Sequence, residues 1–489
     1  MMALWILLIP AIGAVLALAA GRGSPRAARG IASLALALDG VLLLALWARQ
    51  DGAPSASLAE WSADWIPQLG IRFALGIDGL SLVLSLMACV AGLAALLGCP
   101  GNRRDEGLHS GLFLAAVTGV LGVFLATDLM LFFMFYEIML LPAVAMILRW
   151  GSGDRPRAAL RFFVFTQAGG LLMFVAILGL HAAYWDQTGT RTFDYATLRT
   201  MTMSGPIATL LFLGFAAAFA VKLPVVPLHT WQPQAYASAN IETAILLSAL
   251  MSKTAGYGLL RFALPLFPEA AREWAIVAMA LGLLTIVYAS WLAYGQRDMR
   301  RLIAYSSAGH LGYVVLGAFA TNDLAYSGAI LQMFCHGLSV TGLFLIAGHV
   351  ERRTGTCDLD QIGGLWQAAP RLGGISLVFI LATLGLPGLG NFIGEFLVLA
   401  GVFQAYPMVG AIAAVGAVLS GAYALRFMQR VFFGPRVSAI NVSELPAPAL
   451  AVCAVLIAAL VWIGVRPQAL LDTVNLPAAV QTSDAGAAQ

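Results

Sequence analysis

Residues 221–231 read Val-Lys-Leu-Pro-Val-Val-Pro-Leu-His-Thr-Trp, and residues 384–391 read Leu-Gly-Leu-Pro-Gly-Leu-Gly-Asn. Each stretch lies inside a long apolar segment, and each carries proline, which lacks a backbone N–H and clashes with the preceding turn of a helix. A helix that contains such a stretch breaks or kinks there. The sequence therefore predicts two interrupted helices, one near residue 224 and the other near residue 387.

The segments around these stretches are apolar enough to cross a membrane. Hydrophobic residues make up 60% of the 489 and charged residues only 10%, which is not the composition of a soluble globular chain. A spanning helix needs about 20 apolar residues, whereas a spanning strand needs only about ten of alternating polarity. The long uninterrupted runs predict an all-α integral membrane protein of about fourteen spans, near residues 3–20, 30–48, 76–98, 111–127, 129–148, 160–184, 206–230, 241–263, 274–294, 301–319, 323–349, 372–403, 406–430 and 446–465.

The arginines are distributed unevenly over the loops between these spans. Eighteen of the twenty-five follow odd-numbered spans, and seven lie in the even-numbered loops and the C-terminal tail. Cytoplasmic loops are enriched in Lys and Arg, so the odd-numbered loops are predicted to be cytoplasmic and both termini periplasmic. Because the first span lacks the basic flank of a secretory signal, it is predicted to be a retained helix.

The positions of the two interrupted spans predict an internal repeat. Span 7 is fourth in the run of spans 4–8, and span 12 is fourth in the run of spans 9–13. Because five is an odd number, the second run would be inverted, as in many transporters. We expect one membrane domain over 1–489, made of N-terminal spans (1–110), a first repeat (111–263), a second repeat (274–430) and a last span with its tail (446–489). The alternative to a repeat is that both spans contain proline only because proline is common in membrane helices. The polar stretches 49–75, 185–204 and 350–371 are predicted to be connecting loops.

Neither cysteines nor nucleotide-binding motifs indicate a cofactor in this chain. The cysteines are scattered, without a Cys-x-x-Cys pair, at positions Cys89, Cys99, Cys335, Cys357 and Cys453. No glycine-rich dinucleotide or phosphate-binding motif is present. Any redox chemistry coupled to this protein is therefore expected in another chain, and no metal site is predicted.

Lysine occurs at two positions only, Lys222 and Lys253, and both lie inside apolar spans. Wherever a positive charge is needed at a surface, the chain uses arginine, which does not deprotonate in proteins. A desolvated lysine ammonium, by contrast, can exchange its proton near neutral pH. The two lysines are therefore candidate proton carriers.

Two carboxylates in apolar spans are expected to work with these lysines, since ionisable groups at membrane depth are costly and mark functional sites. Glu137 has no charge nearby in the sequence, and Lys222 at the break of span 7 is its expected partner. The alternative is a static ion pair that only joins two helices. Glu395 follows the break of span 12; the alternative there is a first-turn acid that stabilises the second half-helix. For Lys253 the alternative is a side chain that extends to the membrane interface.

Two histidines lie on polar stripes at helical spacing. Hydroxyl, amide and imidazole groups in such a stripe can hold a row of waters, and histidine exchanges protons at physiological pH. Each histidine alone is as consistent with a structural role, but two stripes on adjacent spans favour proton transfer. The stripes are Ser306, His310 and Tyr313 in span 10, and Gln332, His336 and Ser339 in span 11.

Three further polar residues are predicted to be structural. Asp128 is expected to cap span 5, and Glu242 to favour the start of span 8 through the helix dipole. His229 follows the break of span 7, where it is expected to bond carbonyls that the break leaves free.

The residues described above carry a resemblance to a known family. The chain resembles, essentially from end to end, the antiporter-like subunits of the proton-translocating NADH:quinone oxidoreductase (respiratory complex I), which are related to Mrp-type cation/proton antiporter subunits. The stretches that carry it are Phe-Tyr-Glu-Ile-Met-Leu-Leu-Pro at 135–142, the quoted residues 221–231, Arg-Leu-Ile-Ala-Tyr-Ser-Ser-Ala-Gly-His at 301–310 and Gly-Leu-Gly-Asn-Phe-Ile-Gly-Glu-Phe at 388–396.

The resemblance implies a role for each candidate residue. Glu137 and Lys222 would be the coupling ion pair, and Lys253 the central proton carrier. His310 and His336 would connect that lysine to Glu395, the terminal group. The resemblance also implies a subunit of a translocase in the bacterial inner membrane, with other membrane subunits as partners and with FMN, iron–sulfur clusters and quinone in partner subunits.

One stretch departs from the family. After Trp231, where Leu-Pro-Asp-Ala-His and a later proline are expected, this chain reads Gln-Pro-Gln-Ala-Tyr at 232–236 and has Asn240. The usual contacts of the connection between spans 7 and 8 are therefore not expected. Other functions stay open, namely a subunit of a cation/proton antiporter, a subunit of a membrane-bound hydrogenase, and a structural anchor that conducts nothing.

Overall fold

Thirteen helices of the computed structural model are long and apolar enough to cross a membrane, within the residues that it describes, 1–49, 57–101, 103, 105–435 and 443–474. Two shorter apolar helices, which follow each other across a break, form one further interrupted span, so the prediction of fourteen spans is confirmed. Arg104, Arg436 and the tail after residue 474, which entered the predictions above, lie outside the described residues. The spanning helices are Met2–Ala20, Pro25–Trp47, Gly79–Gly98, Glu106–Leu125, Leu129–Trp150, Arg155–Thr188, Gly205–Lys222, Ile241–Leu266, Ala275–Gly295, Met299–Phe319, Asp323–Thr354, the pair Pro370–Leu384 and Gly390–Ala405, Pro407–Phe433 and Ala447–Val465.

Both predicted breaks are present. Span 7 ends as a helix at Lys222, and the chain resumes in the short helices Leu228–Trp231 and Gln232–Ser238. Span 12 stops at Leu384, where Gly385 adopts a left-handed φ of 77°, and resumes at Gly390. The prolines and glycines quoted at the outset therefore interrupt the backbone at the predicted positions.

Span 8 is irregular in a way that the sequence did not indicate. It alternates between α-helical and π-helical turns, and π-turns occur often at functional sites. Its segments are Ile241–Ile245 (α), Leu246–Met251 (π), Ser252–Gly258 (α), Leu259–Ala263 (π) and Leu264–Leu266 (α). A third π-turn, Gln429–Phe433, closes span 13, and the remaining short helices are Pro67–Leu69, Tyr195–Leu198, Pro268–Glu273, Leu365–Ala368 and Gln468–Leu471.

The prediction that 49–75 is an ordinary connecting loop is wrong for its second half. Strands β1 (Ala59–Ile66) and β2 (Ile71–Ile77) form an antiparallel hairpin there, which turns at Gly70 with a φ of 72°. The ring of Trp61 packs edge-on against Phe73 across the hairpin, with 5.8 Å between centroids. Strand pairing satisfies the backbone polar groups of this polar stretch, which a long irregular loop would leave to water.

The spans are enclosed to very different degrees. The most apolar windows of spans 8 and 11 are entirely buried, and that of span 10 is 94% buried, whereas those of spans 1, 2, 13 and 14 are 28–39% buried. The predicted polar stripes and Lys253 therefore lie on the innermost helices, away from lipid. The outer spans present apolar side chains at the surface, as a membrane requires.

The odd-numbered loops gather at one end of the bundle, here called the arginine-rich end. Arg29 of the first loop pairs with Glu106 after the third loop (2.6 Å) and approaches Glu242 after the seventh (3.5 Å). Arg300 after the ninth loop pairs with Glu351 at the eleventh. These contacts place the arginines that follow odd-numbered spans on a common side.

The even-numbered loops meet at the opposite end. The backbone N–H of Arg72 in β2 donates to Asp128 (3.1 Å), and the Arg191 guanidinium donates to the carbonyl of Gln68 (3.1 Å). The two ends are thus separate in the fold, in agreement with the uneven arginine distribution.

Replacing Asp128 by alanine is expected to lower the stability of the protein. Its carboxylate accepts hydrogen bonds from the N–H groups of Met130 (2.9 Å) and Leu131 (3.1 Å), as predicted for a cap, and also from the N–H of Arg72. An N-cap contributes about 0.5–2 kcal/mol, and the bond to β2 adds to it, so we expect a loss of about 2 kcal/mol. Thermal unfolding of the purified assembly measures it. Asp128→Asn, which keeps an acceptor, is the control, and equal stability of the two variants would contradict the assignment.

Candidate functional site

Four predicted site residues form a continuous buried row. The Nζ atom of Lys253 lies 2.7 Å from Nδ1 of His336, and the rings of His336 and His310 have centroids 5.7 Å apart. Nδ1 of His310 lies 2.7 Å from Oε1 of Glu395. All four residues are at most 4% exposed. We call these residues the buried row; it joins spans 8, 11, 10 and 12 through the interior of the bundle.

Lys253 is held at full burial by the π-helical turn before it. Its Nζ atom donates to the carbonyl of Ser248 (2.6 Å) and lies 3.3 Å from the Ser252 hydroxyl. The side chain is 0% exposed, so it does not extend to the membrane interface. Among the ion pairs of the described residues, none involves Lys253. A lysine held by one carbonyl, one hydroxyl and one imidazole finds partners both as an ammonium and as a neutral amine.

Glu395 closes the other end of the row. Its Oε1 atom accepts from the amide of Gln332 (2.9 Å) as well as contacting His310, whose Nε2 lies 3.0 Å from the hydroxyl of Tyr423. The helix that carries Glu395 begins at Gly390, so this acid lies beyond the first turn and does not act there as a dipole-stabilising residue. Tyr423 was not among the predicted residues; the only signal in the sequence is a tyrosine within the apolar span 13.

Other polar atoms surround the row without a partner in the described part of the chain. They are buried acceptors and ring nitrogens, and buried polar atoms of this kind normally bind ordered water. Nδ2 of Asn391 donates to the hydroxyl of Ser339 (3.1 Å), which extends the polar surface of span 11 toward the break of span 12. The unpartnered atoms are Nε2 of His336, Oε1 of Gln332 and Oδ1 of Asn391.

Glu137 and Lys222 lie near each other without direct contact. Among the described ion pairs, none joins them. The ammonium of Lys222 instead lies over the ring of Tyr136, 3.3 Å from its centroid, and 3.4 Å from the carbonyl of the same residue. Glu137 packs against Gly170, where a Cβ atom would come within 3.0 Å of its carboxyl carbon. The ammonium of Lys222 is thus held by the ring and the carbonyl of Tyr136, a contact that the sequence did not indicate.

The two lysines are not linked by hydrogen bonds within the described residues. Lys222 faces Tyr136 at the end of the helix in span 7, whereas Lys253 faces the histidines. The structure thus brings together Lys253, His336, His310 and Glu395, and leaves Glu137 and Lys222 as a separate pair.

The stretch that departs from the family makes contacts of its own. The amide of Gln232 donates to a backbone carbonyl of span 10 (3.1 Å), and Gln234 accepts from an arginine of span 6 (2.9 Å). The hydroxyl of Tyr236 donates to a carbonyl in the π-turn of span 8 (3.1 Å). Asn240 caps span 8 and lies 3.0 Å from the ring of His109 in span 4. The connection between spans 7 and 8 is therefore fastened by amides and a phenol.

The remaining predicted structural residues are partnered more extensively than expected. Glu242, predicted only to favour the helix start, is buried and accepts two hydrogen bonds of 2.9 Å from Arg103. His229 contacts the rings of Tyr288 and Tyr305, with centroids 5.7 and 6.3 Å away, and stands apart from the buried row.

Metal ligands do not converge anywhere in the described part of the chain. No group of three or more His, Cys, Asp or Glu side chains is placed to hold a metal ion there, and the five cysteines are free thiols. The chemistry that the geometry offers is movement of protons between nitrogen and oxygen atoms.

Known proteins of one family are similar to this chain over most of its length. Residues 126–420 match the family described as NADH:quinone oxidoreductase/Mrp antiporter, TM. NADH-quinone oxidoreductase subunit M of Escherichia coli (strain K12) is 42% identical over 488 residues, covering 96% of this chain and 95% of that protein. The subunit M of Pseudomonas aeruginosa is 44% identical over 485 residues, with the same coverage of 96% and 95%.

Solved structures share the fold. A chain of respiratory complex I from Thermus thermophilus with bound NADH superposes with a TM-score of 0.88 at 32% identity, covering 98% of this chain and 99% of that one. A chain of a membrane-bound sulfane sulfur reductase, an archaeal respiratory membrane complex, gives 0.84 at 28% identity, covering 96% and 76%. A chain of the Mrp complex from Dietzia sp. gives 0.84 at 23% identity, covering 99% and 52%, which is a likeness of fold.

Proposed function

The chain belongs to the NADH:quinone oxidoreductase/Mrp antiporter transmembrane family, and from this premise we propose that it is a proton-translocating membrane subunit of an NADH:quinone oxidoreductase, respiratory complex I. It is a multi-pass protein of the bacterial inner membrane. FMN, iron–sulfur clusters and quinone belong to partner subunits, and neighbouring antiporter-like subunits are among its membrane partners. Both termini lie on the periplasmic side, and 111–263 and 274–430 are inverted repeats.

The buried row is the observation that supports this function. Nδ1 of His336 faces Lys253 and its Nε2 has no partner in the described residues, whereas Nδ1 of His310 faces Glu395 and its Nε2 faces the hydroxyl of Tyr423. His336 receives a proton from the Lys253 ammonium at Nδ1 and releases one from Nε2. His310 receives at Nε2, beside the hydroxyl of Tyr423, and releases from Nδ1 to the Glu395 carboxylate. In each ring a proton is gained at one nitrogen and lost at the other, so the imidazole returns to neutrality.

Glu137 and Lys222 couple this row to events in partner subunits. Electron transfer there changes the charge that faces Glu137, and Lys222 responds because its ammonium is balanced between that carboxylate and the ring of Tyr136. A change of charge at Lys222 alters the electrostatic potential at Lys253 through low-dielectric protein. Lys253 then gives its proton to His336, and a proton moves toward Glu395.

The free energy needed to move one proton across the membrane is comparable with that of a single hydrogen bond to a charged group. Moving one proton against 100 mV costs about 2.3 kcal/mol. A hydrogen bond to a charged group contributes about 1.5–3 kcal/mol. Making or breaking one bond of the row, such as that between Lys253 and His336, is therefore enough to set the direction of a step.

Isolation of the assembly through an affinity tag on this chain tests the function. We expect flavin and iron–sulfur subunits to co-purify, and the reconstituted complex to acidify the vesicle lumen when NADH is added. A nickel–iron subunit in their place would identify a hydrogenase, and cation-antiporter subunits alone would identify an Mrp-type assembly. Either composition would overturn the proposed electron donor.

The ring of Tyr136 is expected to matter more than its hydroxyl. A cation–π contact of a desolvated ammonium is worth about 2 kcal/mol, so Tyr136→Leu changes the ratio of charged to neutral Lys222 by about 30-fold. We expect NADH-driven proton translocation to fall at least several-fold in Tyr136→Leu. Tyr136→Phe, which loses only a hydrogen bond to the carbonyl of Ala218 (3.3 Å), should translocate almost normally. Equal rates in the two variants would show that the ring does not stabilise the lysine.

A further inference from the structure

A second cluster of buried ionisable groups lies at the arginine-rich end. Arg29 pairs with Glu106 at 2.6 Å, and Arg103 pairs with Glu242 at 2.9 Å, so two positive and two negative charges balance. His109 lies among them, 0% exposed, with its Nδ1 atom 4.0 Å from Oε1 of Glu106. The proposed translocation uses none of these groups.

The contacts of His109 define the state of its ring. Oδ1 of Asn240 accepts the N–H of Thr243 (3.2 Å) as the cap of span 8, so the amide nitrogen of Asn240 faces Nε2 of His109 at 3.0 Å. An amide N–H donates, so Nε2 accepts, and the proton of the neutral ring is on Nδ1. Nδ1 has no hydrogen-bond partner among the described residues, and the ring packs nearly at right angles to that of Trp150, with 4.9 Å between centroids.

A polar face of span 8 leads from His109 toward Lys253. Thr243, Ser248 and Lys253 are five residues apart, which is the hydrogen-bonding repeat of the π-helix between them. The hydroxyls of Thr243 and of Ser110, the neighbour of His109, are fully buried without a partner in the described residues. At 1.5 Å per residue, the face from Asn240 to Lys253 is about 20 Å long. It ends where the carbonyl of Ser248 accepts from Nζ of Lys253.

We propose that His109, with the hydroxyls of Ser110 and Thr243, is the proton-uptake site of this chain, which takes protons from the arginine-rich end and supplies them to Lys253. This inference rests on the proposed function and adds the residues that load its central carrier. A proton from water binds Nε2 as the Asn240 amide turns away, and the imidazolium forms with its Nδ1 atom 4.0 Å from the Glu106 carboxylate. The ring then releases the proton on Nδ1 toward the hydroxyls of Ser110 and Thr243 and on to neutral Lys253, and Asn240 returns to Nε2.

His109→Gln tests the inference in the intact complex, reconstituted into vesicles and driven by NADH. Glutamine has a similar length but carries no proton, and we expect proton translocation to fall at least about tenfold, since acid–base groups contribute about 10²–10⁴-fold. The control is His349→Gln, which replaces another buried histidine at the same end, one bonded to the carbonyl of Gly98 (3.0 Å). This control is expected to translocate normally.

A double variant, Ser110→Ala with Thr243→Val, separates transport from folding. It preserves the contact between His109 and Asn240 and changes little volume, so the complex should assemble; we expect it to translocate several-fold more slowly. If His109→Gln fails to assemble, the double variant tests the uptake site in its place. Normal translocation by the double variant would overturn the inference.

Lys253→Met, measured in parallel, distinguishes a failure of the uptake site from a failure of the proposed function. Normal translocation by His109→Gln beside a blocked Lys253→Met would reject the uptake site and leave the function standing. Normal translocation by both variants would reject the proposed function itself.

Discussion

Lys253→Met is expected to abolish NADH-driven proton translocation by the assembled complex. The side chain is fully buried, and its Nζ atom joins the carbonyl of Ser248 to Nδ1 of His336. Methionine fills a similar volume but neither binds nor donates a proton, so the row loses its first member. We expect translocation at background level, measured as acidification of the lumen of vesicles that contain the complex.

Lys253→Arg is expected to be almost as inactive, although it keeps the charge. Arginine does not release its proton in proteins, so the guanidinium would hold His336 in one protonation state. An arginine variant that translocated normally would show that a fixed charge at this position suffices. That result would contradict the role of proton carrier and favour a structural anchor.

The control for both variants is Leu250→Met, three residues earlier on the same span and also fully buried. Leucine and methionine are close in volume, and such exchanges in a core usually cost less than about 1.5 kcal/mol. This variant should assemble and translocate normally. Co-purification of the flavin and iron–sulfur subunits with each variant confirms that the complex has assembled.

Glu395→Gln is expected to have the second largest effect. The carboxylate accepts from His310 (2.7 Å) and from Gln332 (2.9 Å), and in the proposed direction it takes the proton that leaves the row. Glutamine preserves the shape and a hydrogen-bond acceptor, yet it cannot be protonated. We expect translocation to fall about 100-fold or more, within the range of about 10²–10⁴ for a lost acid–base group.

Two further carboxylate variants show whether position or charge is responsible. Glu395→Asp retains a titrating group but withdraws it by about one methylene from His310, so an intermediate rate is expected. Glu273→Gln removes an exposed carboxylate and should have no effect. If Glu395→Gln translocated as well as Glu273→Gln, the terminal acid of the row would lie elsewhere.

The sequence alone determined the membrane architecture because a bilayer allows few solutions. Runs of about 20 apolar residues must be helices, since no water is available for their backbone groups. Prolines at 224 and 387 must interrupt two of these helices. An ionisable group in such a run is conspicuous for the same reason, and Glu137, Lys222, Lys253, His310, His336 and Glu395 could all be selected as candidates before any contact was known.

Only the tertiary structure decided which of these groups touch. Lys253 meets His336 across 83 residues of sequence, His310 meets Glu395 across 85, and Tyr423 reaches His310 across 113. Periodicity within one helix gives the face on which a side chain lies, but it does not tell which other helix packs against that face. The packing of spans 8, 10, 11, 12 and 13 supplies that choice.

The same limit explains the features that the sequence did not reveal. The contact of Lys222 with the ring of Tyr136, and the contact of His109 with Asn240, both depend on how separate spans are placed against each other. The π-turns of span 8 depend on the packing of a helix whose most apolar window is wholly buried. The sequence determined which ionisable groups enter the membrane, because their desolvation must be compensated. Tertiary packing determined their partners on other helices, because periodicity within one helix does not specify which helix packs against it.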